Sequence, residues 1–337
     1  MPRQHAETTT LFAELSERMR ALDAARAFAS LTGSFAKKQV RAGDYWYFKT
    51  SEGAAGQREY FIGPDNKETR DMMKAYSAGR PEAEASLKQI ERLCAMLRQG
   101  GAMTIDLPSA RVIAGLARAG VFRIGAVLVG AQSFIALGNL LGVRWESDLR
   151  AQDIDLAATR VLEVAVPLME SALPKPLDAL NMGFLPIPGL NPKSAQTSFT
   201  VRGQVLRVDL LTPAQGVRTG TPIPIPRLKA AAQPMELLDY VMEKAIATPV
   251  LGGGATLVNV PDPACFALYS LIIGKNRQQA GELLAVLYED RRGDLTLAVE
   301  ALNNRAAPWR TRLKRELARL PEGLNDARKL ILRGLNV

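Results

Sequence analysis

The stretch from Arg123 to Leu156, RIGAVLVGAQSFIALGNLLGVRWESDLRAQDIDL, most constrains what this chain can fold into. An apolar run ends in Gly130-Ala131, a helix-like segment follows, and two aspartates then alternate with apolar residues as Asp153-Ile154-Asp155. Further on, VLRVDLL (205–211) sets a third aspartate, Asp209, inside another apolar run. Carboxylates on strands that read as buried are costly unless a cation joins them. A divalent metal is the expected partner.

The spacing supports that expectation. Residues i and i+2 of a strand project from one face, so Asp153 and Asp155 point together while Ile154 enters the core. Two carboxylates about 6–7 Å apart along a strand suit hard oxygen coordination of magnesium. Asp209 would join them if its strand paired alongside. The Gly130-Ala131 bend falls where a strand feeds a helix, and exposed N–H groups at such a bend form a phosphate cradle. Ser133 would either touch that phosphate or cap the helix.

A strand, a small-residue turn, a helix, a D-x-D strand and a later lone aspartate resemble the signature of the nucleotidyltransferase superfamily, whose fold is shared with DNA polymerase β. The chain is more closely similar to a bacterial group of nucleotidyltransferase-fold proteins with a Val-Gly-small turn, a Gly-Val dipeptide and D-[IV]-D-L. Here these read VGAQSFIAL, Gly142-Val143 and DIDL. YWYFKTSEGAAGQREYFIGP (45–64) resembles that group's aromatic hairpin. PMELLDYVMEKA (234–245) and LVNVPDPACFALYSLIIGKNRQQ (257–279) resemble its strand, proline pair and following helix. Two departures stand out: the turn is Gly-Ala rather than Gly-Gly or Gly-Ser, and 21 residues, 132–152, precede the first acid.

The resemblance implies an α+β fold: a mixed-sheet core at 121–260, an N-terminal helix and hairpin region at 1–120, and a helical C-terminal domain at 261–337. It implies transfer of an NMP from an NTP to an acceptor hydroxyl, with Asp153, Asp155 and Asp209 as catalytic residues and ligands of Mg2+ or Mn2+. Gly130, Ala131 and Ser133 would hold the nucleotide. Lys275 and Arg277 would lie on a helix where such proteins often place a basic residue facing the nucleotide, although a lysine there can also be plain helix surface. Two other readings stay open, a toxin-like enzyme modifying RNA or tRNA and a non-catalytic nucleotide-binding regulatory module.

Composition narrows the chemistry. His5 is the single histidine, near an N-terminus expected to be mobile, so histidine triads and histidine-ligated zinc are excluded. Cys94 and Cys265 lack metal-ligand spacing and point to free thiols in a reducing, cytoplasmic setting. MPRQHAETTT has no apolar core of a secretory signal. Residues 124–143 have the length of a spanning helix, but Gly125, Gly130, Gln132, Ser133, Gly138, Asn139 and Gly142 suit a strand-turn-helix instead, so no membrane is expected.

Net charge is +9. Nine Lys or Arg residues against three acids lie between Arg305 and Arg333, a patch that would attract RNA or be a solvated helix face. Tyr45, Trp46, Tyr47 and Tyr60 read as hairpin core rather than a base-stacking platform.

Local signals complete the reading. Helical spacing covers 8–30, a basic connector 36–43, and two strands 44–50 and 57–63 around a Gly53–Gly56 turn. Residues 67–100 suggest two helices broken near Gly79-Arg80-Pro81, and Ser109 is expected to cap a helix ending at Gly120. A strand is expected at 124–129, a helix at 157–172, a proline-rich loop at 173–195, and a hairpin of 196–202 and 204–211. Residues 213–227 carry too many prolines for an interior strand, making them a mobile substrate loop or an ordered crossing. Helices follow from about 262 to the end.

Overall fold

The computed structural model describes residues 1–29, 33–40, 43–52, 56–146, 153–159, 182–187, 195–201, 205–214, 221–228 and 230–335. It is a mixed α/β structure with ten α-helices among those residues. The chain forms two compact units, Glu14–Leu93 and Met1–Ala13 with Cys94–Val337.

Within Glu14–Leu93, β1 (Gly33–Val40), β2 (Gly43–Glu52) and β3 (Gly56–Pro64) make an antiparallel meander. The stretch 36–43, expected as a connector, is therefore mostly strand. Its lysines suit an edge position, where charge discourages pairing with another chain. Asp65 fastens the meander's end: it accepts from Arg70 Nε at 2.6 Å, Lys37 Nζ at 2.8 Å and Trp46 Nε1 at 2.9 Å. Those donors hold its carboxyl well below the usual range. Tyr45, Trp46 and Tyr47 are half-buried in the sheet.

Helix α1 spans Ala6–Ala29, and α2 runs unbroken over Lys67–Gln99, correcting the expected break at Pro81. Proline's fixed φ is a helical value, so an interior proline removes one hydrogen bond without having to end the helix.

The larger unit contains a seven-stranded mixed sheet among the described residues. Its main path is β4 (Val127–Val129), β5 (Asp153–Ala157), β8 (Arg207–Pro213), β10 (Ala230–Met235) and β9 (Ile223–Ile225). β6 (Phe184–Pro186) and β7 (Ser198–Val201) extend it, β7 pairing with the first half of β8. β4 is antiparallel to β5, whereas β5 and β10 are parallel to β8. Proline-rich 213–227 includes β9, which among the described residues pairs with β10 alone and so tolerates Pro224 at an edge.

Alternation decides the two faces of the central strands. Ile154, Leu156, Val208 and Leu210 are at most 1% exposed and enter the core. Phe134 of α4 (Ala131–Leu140) joins them, stacked on Trp145 with ring centroids 4.3 Å apart. Trp145 Nε1 donates to the Phe134 carbonyl at 2.6 Å, satisfying a buried donor.

Helix α3 (Leu107–Arg118) starts differently from expectation. Its cap is Asp106, whose carboxylate accepts from Ser109 N at 2.9 Å, while Ser109 is buried inside the helix. Asp106 precedes Leu107-Pro108, and proline suits a first turn because its missing N–H has no intrahelical partner there. The N-terminus is also placed: Arg3 bridges Val143, and buried Gln4 donates to Asn139 Oδ1 at 2.9 Å. The strand expected from 124 begins at Val127, after a turn through Gly125 at φ 91°.

Beyond the sheet come α5 (Leu238–Met242), the hairpin of β11 (Ile246–Leu251) and β12 (Ala255–Val260), and then helices only. These are α6 (Pro263–Ile273), α7 (Arg277–Asp290), α8 (Arg292–Asn303), α9 (Ala307–Leu317) and α10 (Asn325–Gly334). Asp262 caps α6 by accepting from Ala264 N and Cys265 N at 2.9 and 3.0 Å. Tyr240 Oη donates to the Ala298 carbonyl at 2.9 Å, tying α5 to α8. The expected turns at 53–55 and 202–204, the helix beyond 159, most of the 173–195 loop and residues 215–220 lie outside the described residues.

Candidate active site

Strand register brings the acids together. β5 and β8 run parallel with Asp155 opposite Asp209 and Asp153 opposite Arg207. Paired positions of neighbouring strands share a face, so Asp153, Asp155, Arg207 and Asp209 stand on the face opposite Ile154 and Val208. Ser198 of β7 lies across from Asp209 on its other side.

Gly130 closes this face from β4. Val129 is paired with Asp155, and the chain bends at Gly130 with φ 76° and ψ −153° before α4 begins. That backbone region is essentially restricted to glycine. A Cβ at Gly130 would overlap Oδ2 of Asp155, so bend and carboxylate are in direct contact. Gly130 is the N-cap of α4 and has no side chain to satisfy the helix's first N–H groups. Ala131, half-buried, opens the helix. Ser133 is fully buried and donates to the Gly130 carbonyl at 2.8 Å, a bond back to the N-cap residue that leaves the helix without a side-chain cap.

Above the acid face is a cavity of about 330 Å3. Asp155, Asp209 and Arg207 form its charged floor, Phe266 and Tyr269 of α6 contribute aromatic surface, and Lys275 enters from the following turn. Lys275 and Asn276 sit between α6 and α7, correcting the expectation of a helical site for Lys275. The turn is reached through Gly274 at φ 72°, and Asn276 is itself left-handed at φ 51°. Arg277 is not at the cavity. It donates to the buried carboxylate of Glu316 at 2.6 Å, and this bond, ahead of the nearby Arg319 and Arg315, draws the Glu316 carboxyl below its ordinary range.

The electrostatics centre on Asp155. Burial, then the negative charges of Asp209 and Asp153, push its carboxyl up to about 6, against the opposing pull of Lys275 and Arg207. Burial and the charge of Asp155 also raise the Tyr269 phenol. Asp209 accepts from Arg207 Nε at 2.7 Å, and Arg207 Nη2 donates to Ser198 Oγ at 3.3 Å.

A divalent cation fits the chemistry of this donor set: hard carboxylate oxygens on one strand face, with like charges crowding Asp155. The three aspartates are not, however, gathered into a ready-made cluster; among the described residues no group of three or more His, Cys, Asp or Glu forms one. Asp153 is exposed at the first residue of β5, and an oxygen of Asp209 is shared with Arg207.

Arg207, Tyr269 and Asn276 were missed by sequence reasoning. Only Arg207 carried a usable signal, since the alternation in Arg207-Val208-Asp209 puts it beside the third acid.

The C-terminal basic patch is largely used within the fold. Arg305 pairs with Asp239 and Glu243, Arg310 donates to the Asn303 and Arg305 carbonyls, Arg315 and Arg319 meet Glu316, and Lys329 meets Asp326. Among the described residues, no helix is long and apolar enough to cross a membrane.

The sequence profile of a family described as Nucleotidyltransferase matches residues 108–292, more than half of the chain and all of the elements that build the cavity. No curated protein and no solved structure matches the chain.

Proposed function

The chain belongs to the nucleotidyltransferase family and is a transferase, and from that premise we propose that it moves an NMP from an NTP to an acceptor hydroxyl with help from a divalent cation. The observation that carries this reading is the pairing of Asp155 with Asp209 beside the Gly130 bend, on the floor of one cavity.

Asp155 and Asp209, joined by Asp153 at the strand end, would hold Mg2+ or Mn2+. Bound there, the cation would supply Lewis acidity to the α-phosphate and lower the pKa of the acceptor hydroxyl. The remaining roles belong to the chain. Gly130 lets the backbone approach a phosphate closely, and the positive end of the α4 dipole favours negative charge there. Lys275, which lines the same cavity, offsets charge on the triphosphate. Phe266 and Tyr269 limit water on that side, which strengthens each of these interactions. The acceptor oxygen attacks the α-phosphorus, the bond to pyrophosphate breaks, and the hydroxyl proton passes to a site carboxylate or to solvent.

The test is incubation with each of four α-labelled NTPs, Mg2+, and small-molecule, protein and RNA fractions. The wild type should label one acceptor class. Asp153→Ala and Asp155→Ala should abolish labelling while the protein still melts cooperatively near the wild-type temperature. Labelling retained by either variant would sink the assignment.

A further inference from the structure

The side chain of Arg207 has two possible reasons to be where it is. One is stability, through its ion pair with Asp209. That pair is open to solvent, with Arg207 45% and Asp209 17% exposed in their side chains, and pairs of this kind add little to folding. The other is function. Arg207 lines the cavity, is the cross-strand partner of Asp153, and occupies an oxygen of Asp209 while also donating to Ser198 Oγ. A guanidinium among three carboxylates is well compensated. It becomes poorly placed as soon as a divalent cation takes the same carboxylates, because the two cations repel and compete for one lone-pair set.

A second anion relieves that conflict. The planar fork of arginine matches phosphate oxygens as well as it matches a carboxylate. Lys275, which also lines the cavity, is a point charge on an exposed turn and offers no such fork.

Resting on the transfer reading above, we propose that Arg207 is a hand-over residue: it orients Asp209 through Nε, yields that carboxylate when the divalent cation arrives, and then binds a phosphate oxygen of the nucleotide. Cation and nucleotide are thereby coupled through one side chain. Removing Arg207 then has effects of opposite sign on the two ligands, which neither a purely structural arginine nor a simple phosphate-binding one produces.

The experiment compares wild type, Arg207→Ala and Arg207→Lys by titration with Mn2+ alone, with Mn2+ plus an α,β-methylene NTP analogue that cannot transfer, and with the nucleoside. Melting curves establish that each variant is folded. In Arg207→Ala, Mn2+ alone should bind several-fold more tightly. The Mn2+-analogue complex should bind about tenfold more weakly, the size expected for one lost charge-assisted hydrogen bond. Nucleoside binding should not change, and Arg207→Lys should recover part of the analogue affinity. Both affinities falling together, or only the analogue affinity falling, overturns the hand-over role. A wild type that binds the analogue alongside an Arg207→Ala protein that behaves identically defeats this inference alone. A wild type that binds neither Mn2+ nor the analogue defeats the transfer reading and this one with it.

Discussion

Gly130 lies against Asp155 so closely that any Cβ on the glycine would overlap Oδ2 of the carboxylate. The bend that is to receive phosphate and the acid that is to hold a cation are thus a single contact, set by the antiparallel pairing of Val129 with Asp155.

Gly130→Ala should damage this contact twice. The backbone at φ 76° and ψ −153° excludes a side chain, and the new methyl displaces the carboxylate. We expect a stability loss of about 1–3 kcal/mol from the strained backbone, read by chemical denaturation. Transfer should fall by about a hundredfold or more, as misplacement of a reacting group by an ångström can cost. Wild-type transfer by this variant would show that the close approach is dispensable.

The raised Asp155 carboxyl has a defined sign in stability. Its folded value of about 6 lies above an unfolded value of about 3.9. Between those values the native state holds more protons, so without divalent cation stability should fall as pH rises from about 4 to about 6 and then level off. The loss is on the order of 3 kcal/mol. Asp155→Asn should melt above wild type at pH 7.5 in EDTA, with the gap closing below about pH 4. Melting curves at several pH values decide it; an unchanged gap from pH 4 to 8 would remove Asp155 as the origin.

Lys275 offers a kinetic test. It reaches the cavity from an exposed turn, so it should act on nucleotide capture. Lys275→Met should raise KM for NTP by about tenfold with a smaller change in kcat, the pattern of lost uniform binding. Lys275→Arg should restore most of the affinity. A fall in kcat with KM unchanged would instead place Lys275 in the transition state.

Asn139 separates fold from site. Its Oδ1 accepts from Gln4 Nε2 and Met103 N at 2.9 and 2.8 Å, and its Nδ2 donates to the Met103 carbonyl at 2.8 Å. Asn139→Ala leaves Met103 N and its carbonyl without this partner, while Gln4 Nε2 keeps only the Val143 carbonyl, and should cost about 2–4 kcal/mol, since each unsatisfied group costs about 1–3. Urea denaturation measures the loss, and transfer per folded molecule should stay near wild type at low temperature. A variant as stable as wild type would mean that the N-terminal segment is not held by this amide.

Where a periodic signal and a local consequence coincide, the residues alone were enough. Asp153-Ile154-Asp155 and Val208-Asp209-Leu210 announced one polar and one buried face because the strand period is two, and Gly130 announced a bend because few other residues tolerate one there. The same logic failed at β1, where exposed lysines on an edge strand look like a connector, and at Pro81, whose fixed φ is also a helical value. Serine caps a helix as readily as aspartate does, so local pattern alone does not choose between Ser109 and Asp106.

Register was decided only by the tertiary structure. Asp155 meets Asp209 because β5 and β8 pair in parallel with no offset, and a shift of one residue would send one of them into the core. That alignment depends on the apolar partners Ile154, Leu156, Val208 and Leu210 packing together beneath, an energy summed over residues distant in the chain. The closeness of Tyr269 to Asp155 and the entry of Lys275 into the cavity are likewise set by long-range packing, whereas the bond from Arg207 to Asp209 is made within β8. Short-range pattern told which side chains share a strand's face; long-range packing told which strands lie side by side.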